Sequence, residues 1–380
     1  MVNRCARLAA LTLVVVLTSS GCTRSSAPGV RLDTGTVIAE DRVVNVLNWS
    51  DYIAPDTIAR FEEETGIKVN YDVFDSNEVL ETKLLTGHTG YDVVAPSDFF
   101  LERQAKQGIF LPLDKSKLPH YHNLDPMVMS QLQAVDPGNR FGIPYSDVVT
   151  GIGYNVAAIK KVLGDQPLDS WSMIFDPKNA EKLKACGLTM LDSEAEVFFS
   201  AKLWLGLDPA SERREDLQAT EIMLRAVRPS VREFHSSKYI SDLANGETCV
   251  ALGWSGDVLQ ARDRAREAGK GIEIVFLIPK EGGMVTFDML AIPADAPHPD
   301  NAHKFLDFLM RAEVAAAFTE ARKYPSGNAA AERLVSPELA SDEIIFPPAD
   351  VRVRLKPHRA ESLMYTRYAN RAWTRVRTGH

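Results

Sequence analysis

The 380 residues contain no Gly-x-Ser-x-Gly elbow, no phosphate-binding Walker loop and no His-Glu-x-x-His helix. The usual sequence signs of serine-hydrolase, nucleotide-hydrolase and zinc-protease chemistry are therefore missing. Gly151-Ile152-Gly153 lacks the third glycine and the downstream acid of a dinucleotide loop. His120 and His122 flank Tyr121 after Pro119 and read as surface histidines, His235 has no evident partner, and no metal-ligand spacing accompanies any cysteine. No metal and no cofactor is expected. Positive charge is short as well: 43 Lys and Arg against 51 Asp and Glu give a net −8, with no basic patch beyond the C-terminal tail. That balance argues against a nucleic-acid partner. No internal repeat is visible. What remains is 45% hydrophobic and 25% charged, a globular composition, in a chain too long for one comfortable core. Two lobes are expected.

Only one segment is strongly apolar. Arg4 and Arg7 precede the run Leu8 to Leu17, and small residues lead on to Ser19-Ser20-Gly21-Cys22. A positive start, a short apolar core and a small-residue cleavage site describe a secretory signal over residues 1–21. The run is too short to span a bilayer. Its last four residues resemble the lipobox of bacterial lipoproteins, in which the cysteine is acylated and becomes the mature N-terminus. Ser19 stands where leucine is usual, and the alternative to lipidation at Cys22 is plain cleavage to a free periplasmic protein. Residues 22–42 carry Ser, Pro and Gly without periodicity and read as a tether. Loss of Arg4 and Arg7 with the signal takes the net charge from −8 to −10, which is compatible with a cationic ligand. Cys5 leaves with the signal and Cys22 is assigned to the lipid, so Cys186 and Cys249 remain. In an oxidising compartment they are a disulfide candidate, and two buried free thiols are the alternative. A bridge would close a long loop and contribute roughly 4 kcal/mol on the chain-entropy account.

The first half of the body alternates strands and helices. Val43–Asn48 reads as a strand, and a helix follows near Pro55 with Ile58 and Phe61 inward and Gly66 at its end. Ile67–Phe74 alternates as a strand, and Asp75 with Glu78 resembles a capping box. Tyr91–Ala95 is a third strand, followed by a helix that Gly108 stops. This order implies a parallel sheet flanked by helices. The alternation resumes after about residue 150, with strands at Leu188–Leu191 and Cys249–Gly253 and helices at Val197–Leu205 and Thr220–Val227. Two doubly wound α/β lobes would bind a ligand at the carboxyl ends of their strands.

The residues that follow the strands are chemically alike. They are Trp49-Ser50-Asp51-Tyr52, then Ser97-Asp98-Phe99, then Asp192 and Glu196, then Trp254 and Asp257, with Asp288 in the apolar stretch Met284–Ile292. Taken singly, a Trp here is more often core and an Asp more often a helix cap. Together they suit an organic cation. Carboxylates replace the water that an ammonium loses, and aromatic faces wall its methylenes and attract the charge, by about 1–2 kcal/mol when desolvated.

Asn48-Trp49-Ser50-Asp51-Tyr52-Ile53-Ala54-Pro55 closely resembles the periplasmic polyamine-binding proteins of ABC transporters, especially the putrescine-preferring branch. The likeness continues through Tyr71 to Leu80, Pro112 to Pro119, Thr150 to Asn155, Phe234 to Ser237, Gly253 to Asp257 and Pro347 to Arg352, and covers nearly the whole body. It implies a two-lobed, hinged, type II-like fold with mostly parallel sheets. One lobe would comprise 43–148 and 284–322, the other 149–283 and 323–380. It implies that Cys186 and Cys249 are paired. It implies an aromatic box of Trp49, Tyr52 and Trp254 with a further contact from Tyr324. Ser50 and Ser97 would be hydrogen-bond partners, Asp257 and Asp288 would hold one ammonium, and Glu196 and Asp51 would lie near the other end. The partners implied are a small amine, an ABC permease and ATPase, and the membrane through a lipid anchor alone, the protein being a periplasmic monomer and not an enzyme.

Four positions depart from that pattern as possible specificity residues. Thr286 stands where the family has an aromatic wall, Asp98 where a small residue is common, Asp147 where an aromatic is, and Ser193 where spermidine-preferring members have an acid. These departures point to a wider or more acidic pocket, fit for a bulkier amine or a guanidino compound such as agmatine. The alternative function is an amine sensor lipoprotein not coupled to transport. A carboxylate enzyme lacks a nucleophile or cofactor site, and a hard-metal receptor would have no use for the tryptophans.

Overall fold

Val43–Trp49 forms strand β1, and Val46 to Trp49 are buried in succession, as befits a strand covered on both faces. The structure is a computed structural model and describes residues 41–379. The signal reading of 1–21, Cys22 and all but the end of the tether lie outside the described residues. β1 runs parallel to β2 (Lys68–Phe74) on one side and β3 (Val93–Val94) on the other. The connecting helix begins at Thr57 and ends at Gly66, whose φ of 67° stops it. Phe61 is buried against Phe305 and Phe308, at 5.1 and 5.4 Å between ring centres, whereas Ile58 is only half-buried. The next helix, Asn77–Thr86, is capped by Ser76, whose hydroxyl accepts the Val79 N–H. Asp75, the expected cap, is instead engaged by the Ser50 hydroxyl at 2.7 Å. β3 is shorter than expected at both ends, and just past it the indole N–H of Trp49 donates to the Ala95 carbonyl at 2.8 Å.

Two long strands join the halves. β4 (Gly142–Asn155) and β9 (Gly283–Ala291) pair antiparallel along most of their length. Beyond β4 lie β5 (Leu188–Met190), β6 (Val231–Phe234), β7 (Val250–Trp254) and β8 (Ile274–Leu277), and β10 (Leu355–Pro357) pairs with β9. The order is β2-β1-β3-β9-β4-β7-β5-β6. Among the described residues four of the nine pairings are antiparallel, and each of them involves β4 or β9. The α/β fold with flanking helices is as expected. The sheet is mixed because these two crossing strands run against the parallel strands around them. Gly151, which fails as a dinucleotide-loop glycine, lies within β4, where a Cβ would meet the Leu277 carbonyl of β8 at 2.4 Å.

Two large hydrophobic cores form along this sheet, with a smaller cluster around Leu259 and Ile345. One gathers Val44, Leu47, Phe61, Val93 and Leu306. The other gathers Ile152, Leu188, Phe198, Val250 and Trp373. β4 passes from the first core to the second between Val148 and Val149, and β9 contributes Met284 to the second and Met289 to the first. Cys186 and Cys249 are disulfide-bonded, with Cα atoms 5.4 Å apart, and tie the turn before β5 to the start of β7. No helix of the described residues is long and apolar enough to cross a membrane.

Candidate functional site

Strand register builds the aromatic part of the site. β1 and β2 pair residue for residue until Trp49 lies opposite Phe74 at their carboxyl ends, and the two rings sit 4.4 Å apart. β7 places Trp254 opposite Thr150 of β4, and its ring meets that of Trp49 edge-on at 5.6 Å. Hydrogen bonds fix both indoles: Trp49 to the Ala95 carbonyl at 2.8 Å and Trp254 to Glu196 Oε1 at 3.2 Å. Tyr52 packs edge-on to Tyr324 at 5.1 Å. These rings and the groups below line a cleft with about 570 Å³ of unfilled space.

Asp257 lies in the first turn of the helix Ser255–Glu267, directly after β7. Its Oδ1 accepts the Tyr324 hydroxyl at 2.7 Å and its Oδ2 the Tyr239 hydroxyl at 2.8 Å. Two glycines make this grip possible. A Cβ on Gly253 would meet the Tyr239 ring at 2.5 Å, and one on Gly256 the Tyr324 ring at 2.4 Å. Asp288 projects from β9, and its Oδ1 accepts the Ser97 hydroxyl at 2.7 Å. Ser97 is held by Asn77, which donates to Oγ at 2.9 Å and accepts the Ser97 N–H at 3.0 Å. The Tyr52 hydroxyl is buried close to Asp288 without a hydrogen bond of good geometry. Glu196 lies on the helix Glu194–Trp204, which follows β5; it accepts from the Thr150 hydroxyl and the Trp254 indole.

All three acids are buried, at 5–6% exposure. Their side-chain hydrogen-bond donors are hydroxyls, an indole and the Gln260 amide, not ammonium or guanidinium groups. Burial therefore pushes Asp257 and Glu196 up to about 7 and Asp288 up to about 6, with the hydroxyl hydrogen bonds pulling back. Such a cleft presents acid oxygens and aromatic faces to whatever enters it. A cation there would replace the protons these groups otherwise hold.

Of the residues expected from sequence, Trp49, Ser50, Tyr52, Ser97, Glu196, Trp254, Asp257, Asp288 and Tyr324 line this one cleft, and so do Ser193 and Thr286. Three do not. Asp51, at φ 54°, turns out towards the surface and accepts from Arg264 at 3.2 Å, with Arg322 at 3.8 Å. Asp98 is buried at the start of the next helix, where Oδ1 accepts the Phe99 N–H at 2.9 Å. Asp147 precedes the lining residue Val148 on β4 and so projects from the opposite face of the strand. Sequence reasoning missed Phe74, Asp75, Ser76, Asn77, Val148, Ser236 and Ser237. Reading onward from β2 and β6, as was done for the other strands, points to Asp75, Ser76, Asn77, Ser236 and Ser237, but not to Phe74 or Val148, which lie within strands. His235 does have partners: its Nδ1 accepts the N–H groups of Ser237 and Lys238, both at 3.1 Å, and so shapes that turn. His120 pairs with Asp307 at 2.8 Å. No cluster of three or more His, Cys, Asp or Glu suited to a metal ion occurs among the described residues.

Parallel strands on either side of two crossing strands, with their carboxyl ends turned to a shared cleft, define an α/β solute-binding protein. The chain belongs to the bacterial extracellular solute-binding protein family, whose model matches residues 56–347. It is 51% identical over 351 residues to the putrescine-binding periplasmic protein PotF of Escherichia coli K12, covering 92% of this chain and 95% of that one. It is 48% identical over 342 residues to the putrescine-binding periplasmic protein SpuD of Pseudomonas aeruginosa, covering 90% and 93%. Among solved structures it matches a putative spermidine/putrescine ABC transporter protein from Listeria monocytogenes with a TM-score of 0.80 at 32% identity, covering 90% of this chain and all of that one.

Proposed function

We propose that this protein captures a small aliphatic diamine of the putrescine type outside the cytoplasm and delivers it to an ABC importer, without chemical change to the ligand. One observation carries the reading: three buried acids with no cationic partner frame a slot walled by Trp49, Phe74 and Trp254. Asp257 and Asp288 take one ammonium, Glu196 faces the other, and the rings cover the methylenes. The similarity to putrescine-binding relatives along nine-tenths of the chain supports the same ligand class.

The two cores are read as two lobes, 43–148 with 284–322 and 149–283 with 323–380. Trp49, Ser97 and Asp288 belong to one and Glu196, Trp254 and Asp257 to the other, so only a closed form touches the ligand from both sides. A ligand then favours closure by its differential contacts. Asp51 and Arg264 meet across the cleft mouth in this form and act in closure rather than on the ligand. Cys22 is read as the lipid attachment, residues 22–42 as the tether, and the folded body as a periplasmic monomer that docks on permease and ATPase subunits.

Titration calorimetry of amine-stripped protein against putrescine, cadaverine, spermidine, agmatine and calcium tests this. The expected result is tight one-to-one binding of putrescine and none of calcium. Tight calcium binding with indifference to every amine would overturn it.

A further inference from the structure

A second cavity, with about 370 Å³ of unfilled space, lies behind the helix starts at Asn77 and Glu194, and it shares no lining residue with the cleft. Aromatic rings wall it: Phe99 meets Phe100 at 4.9 Å and His358 edge-on at 4.5 Å. Glu78, Glu81, Glu194 and Glu361 line it, against a single lining cation, Arg103. That guanidinium is committed. It donates to both oxygens of Glu81, at 3.0 and 2.8 Å, and lies 4.4 Å from the Phe100 ring centre. Lys202, whose charge also acts on Glu194 and Glu361, gives its hydrogen bonds to the carbonyls of Pro209 and Ser211, at 3.2 and 2.8 Å. Glu78, Glu194 and Glu361 are left without a basic group bonded to them.

Two further features point to an occupant. Glu194 is 6% exposed and its Oε1 has no hydrogen-bond partner. His358 is 5% exposed and its Nδ1 has none either. Burial holds this imidazole neutral, with its pKa pushed down to about 3, so it can accept a hydrogen bond from a cation without repelling it. A polar group left unpaired in such surroundings costs on the order of 1–3 kcal/mol, and a charged one more. Rings and an imidazole beside the acids suit an alkylammonium better than a hard metal ion, which has no use for the aromatic walls.

We propose that this cavity is a second cation subsite, binding the primary ammonium of an aliphatic amine on Glu194 and His358 with its methylenes against Phe99 and Phe100. Glu78 comes from an element of the first core and Glu194 and Glu361 from the second, so an occupant here also bridges the two halves.

Equilibrium dialysis of the full chain against radiolabelled putrescine, carried to millimolar concentration in moderate salt, counts the sites. Two amines per chain are expected, one bound tightly and one weakly. Glu194→Gln and His358→Leu should each remove the weak event and leave the tight constant unchanged. Asp257→Asn should do the reverse, weakening the tight event and sparing the weak one. Glu194→Gln keeps the side-chain volume, and burial already pushes the Glu194 carboxyl well above the usual carboxylate range, so the variant should melt no lower than the parent. A count of one at saturation in the parent, or a weak event that persists in Glu194→Gln, overturns the proposal. A parent that keeps the weak event but lacks the tight one would refute the cleft reading alone.

Discussion

Asp257 holds its carboxylate between two tyrosine hydroxyls in the cleft that Trp49 and Trp254 also line, with no lysine or arginine hydrogen-bonded to it. Asparagine would fit the same space but bring no charge. Asp257→Asn should therefore weaken putrescine binding by about 10–100-fold, the worth of one hydrogen bond to a charged group at 1.5–3 kcal/mol. Calorimetry reads this directly, and an unchanged dissociation constant would remove Asp257 from the site. Thr286 is one of the four positions that depart from the family pattern. It lines the cleft beside Val148, its cross-strand partner on β4.

At the scale of elements, the site depends on how closely tyrosines approach the start of one helix. Gly256 lies under the Tyr324 ring, and Tyr324 in turn holds Asp257 by both its carboxylate and its N–H, at 2.7 and 3.1 Å. Gly256→Ala should push the ring away, cost about 1–3 kcal/mol of stability by overpacking and weaken amine binding at the same time. Thermal melting with and without putrescine checks both effects; a variant that melts and binds as the parent does would mean that Tyr324 is not positioned this way.

The parts of this arrangement that follow local rules were legible in the sequence. Strand–helix alternation and the residues just past β1, β5 and β7 led to Trp49, Glu196, Trp254 and Asp257. Long-range geometry was not legible. β4 was not identified from the sequence because its glycines and polar residues answer to β8 and β9, which are far away in sequence. Asp51 and Asp147 share the composition of site residues but leave the cleft because of a left-handed turn and strand alternation. Phe74 becomes a wall only through its register with Trp49.

For the molecule as a whole, the buried acids set a pH dependence of known sign. Asp257, Glu196 and Asp288 have folded pKa values of about 7, about 7 and about 6, above the unfolded carboxylate range near 4. As pH rises from about 4 to 7 the unfolded chain loses these protons first, so the three groups erode the stability of the free protein over that window. A bound ammonium reverses the effect, since it favours the ionised acids, and alkylammonium groups stay charged to about pH 10. Putrescine should therefore raise the melting temperature more at pH 8 than at pH 5.

The most direct test of the acid-lined cleft is the putrescine dissociation constant measured by calorimetry from pH 5 to pH 8 in buffers of different ionisation enthalpy. The account predicts weakening as pH falls below about 7, approaching tenfold per unit for each proton displaced, with proton release to the buffer near neutrality. A dissociation constant that is flat across this range, with no buffer-dependent heat, would contradict it.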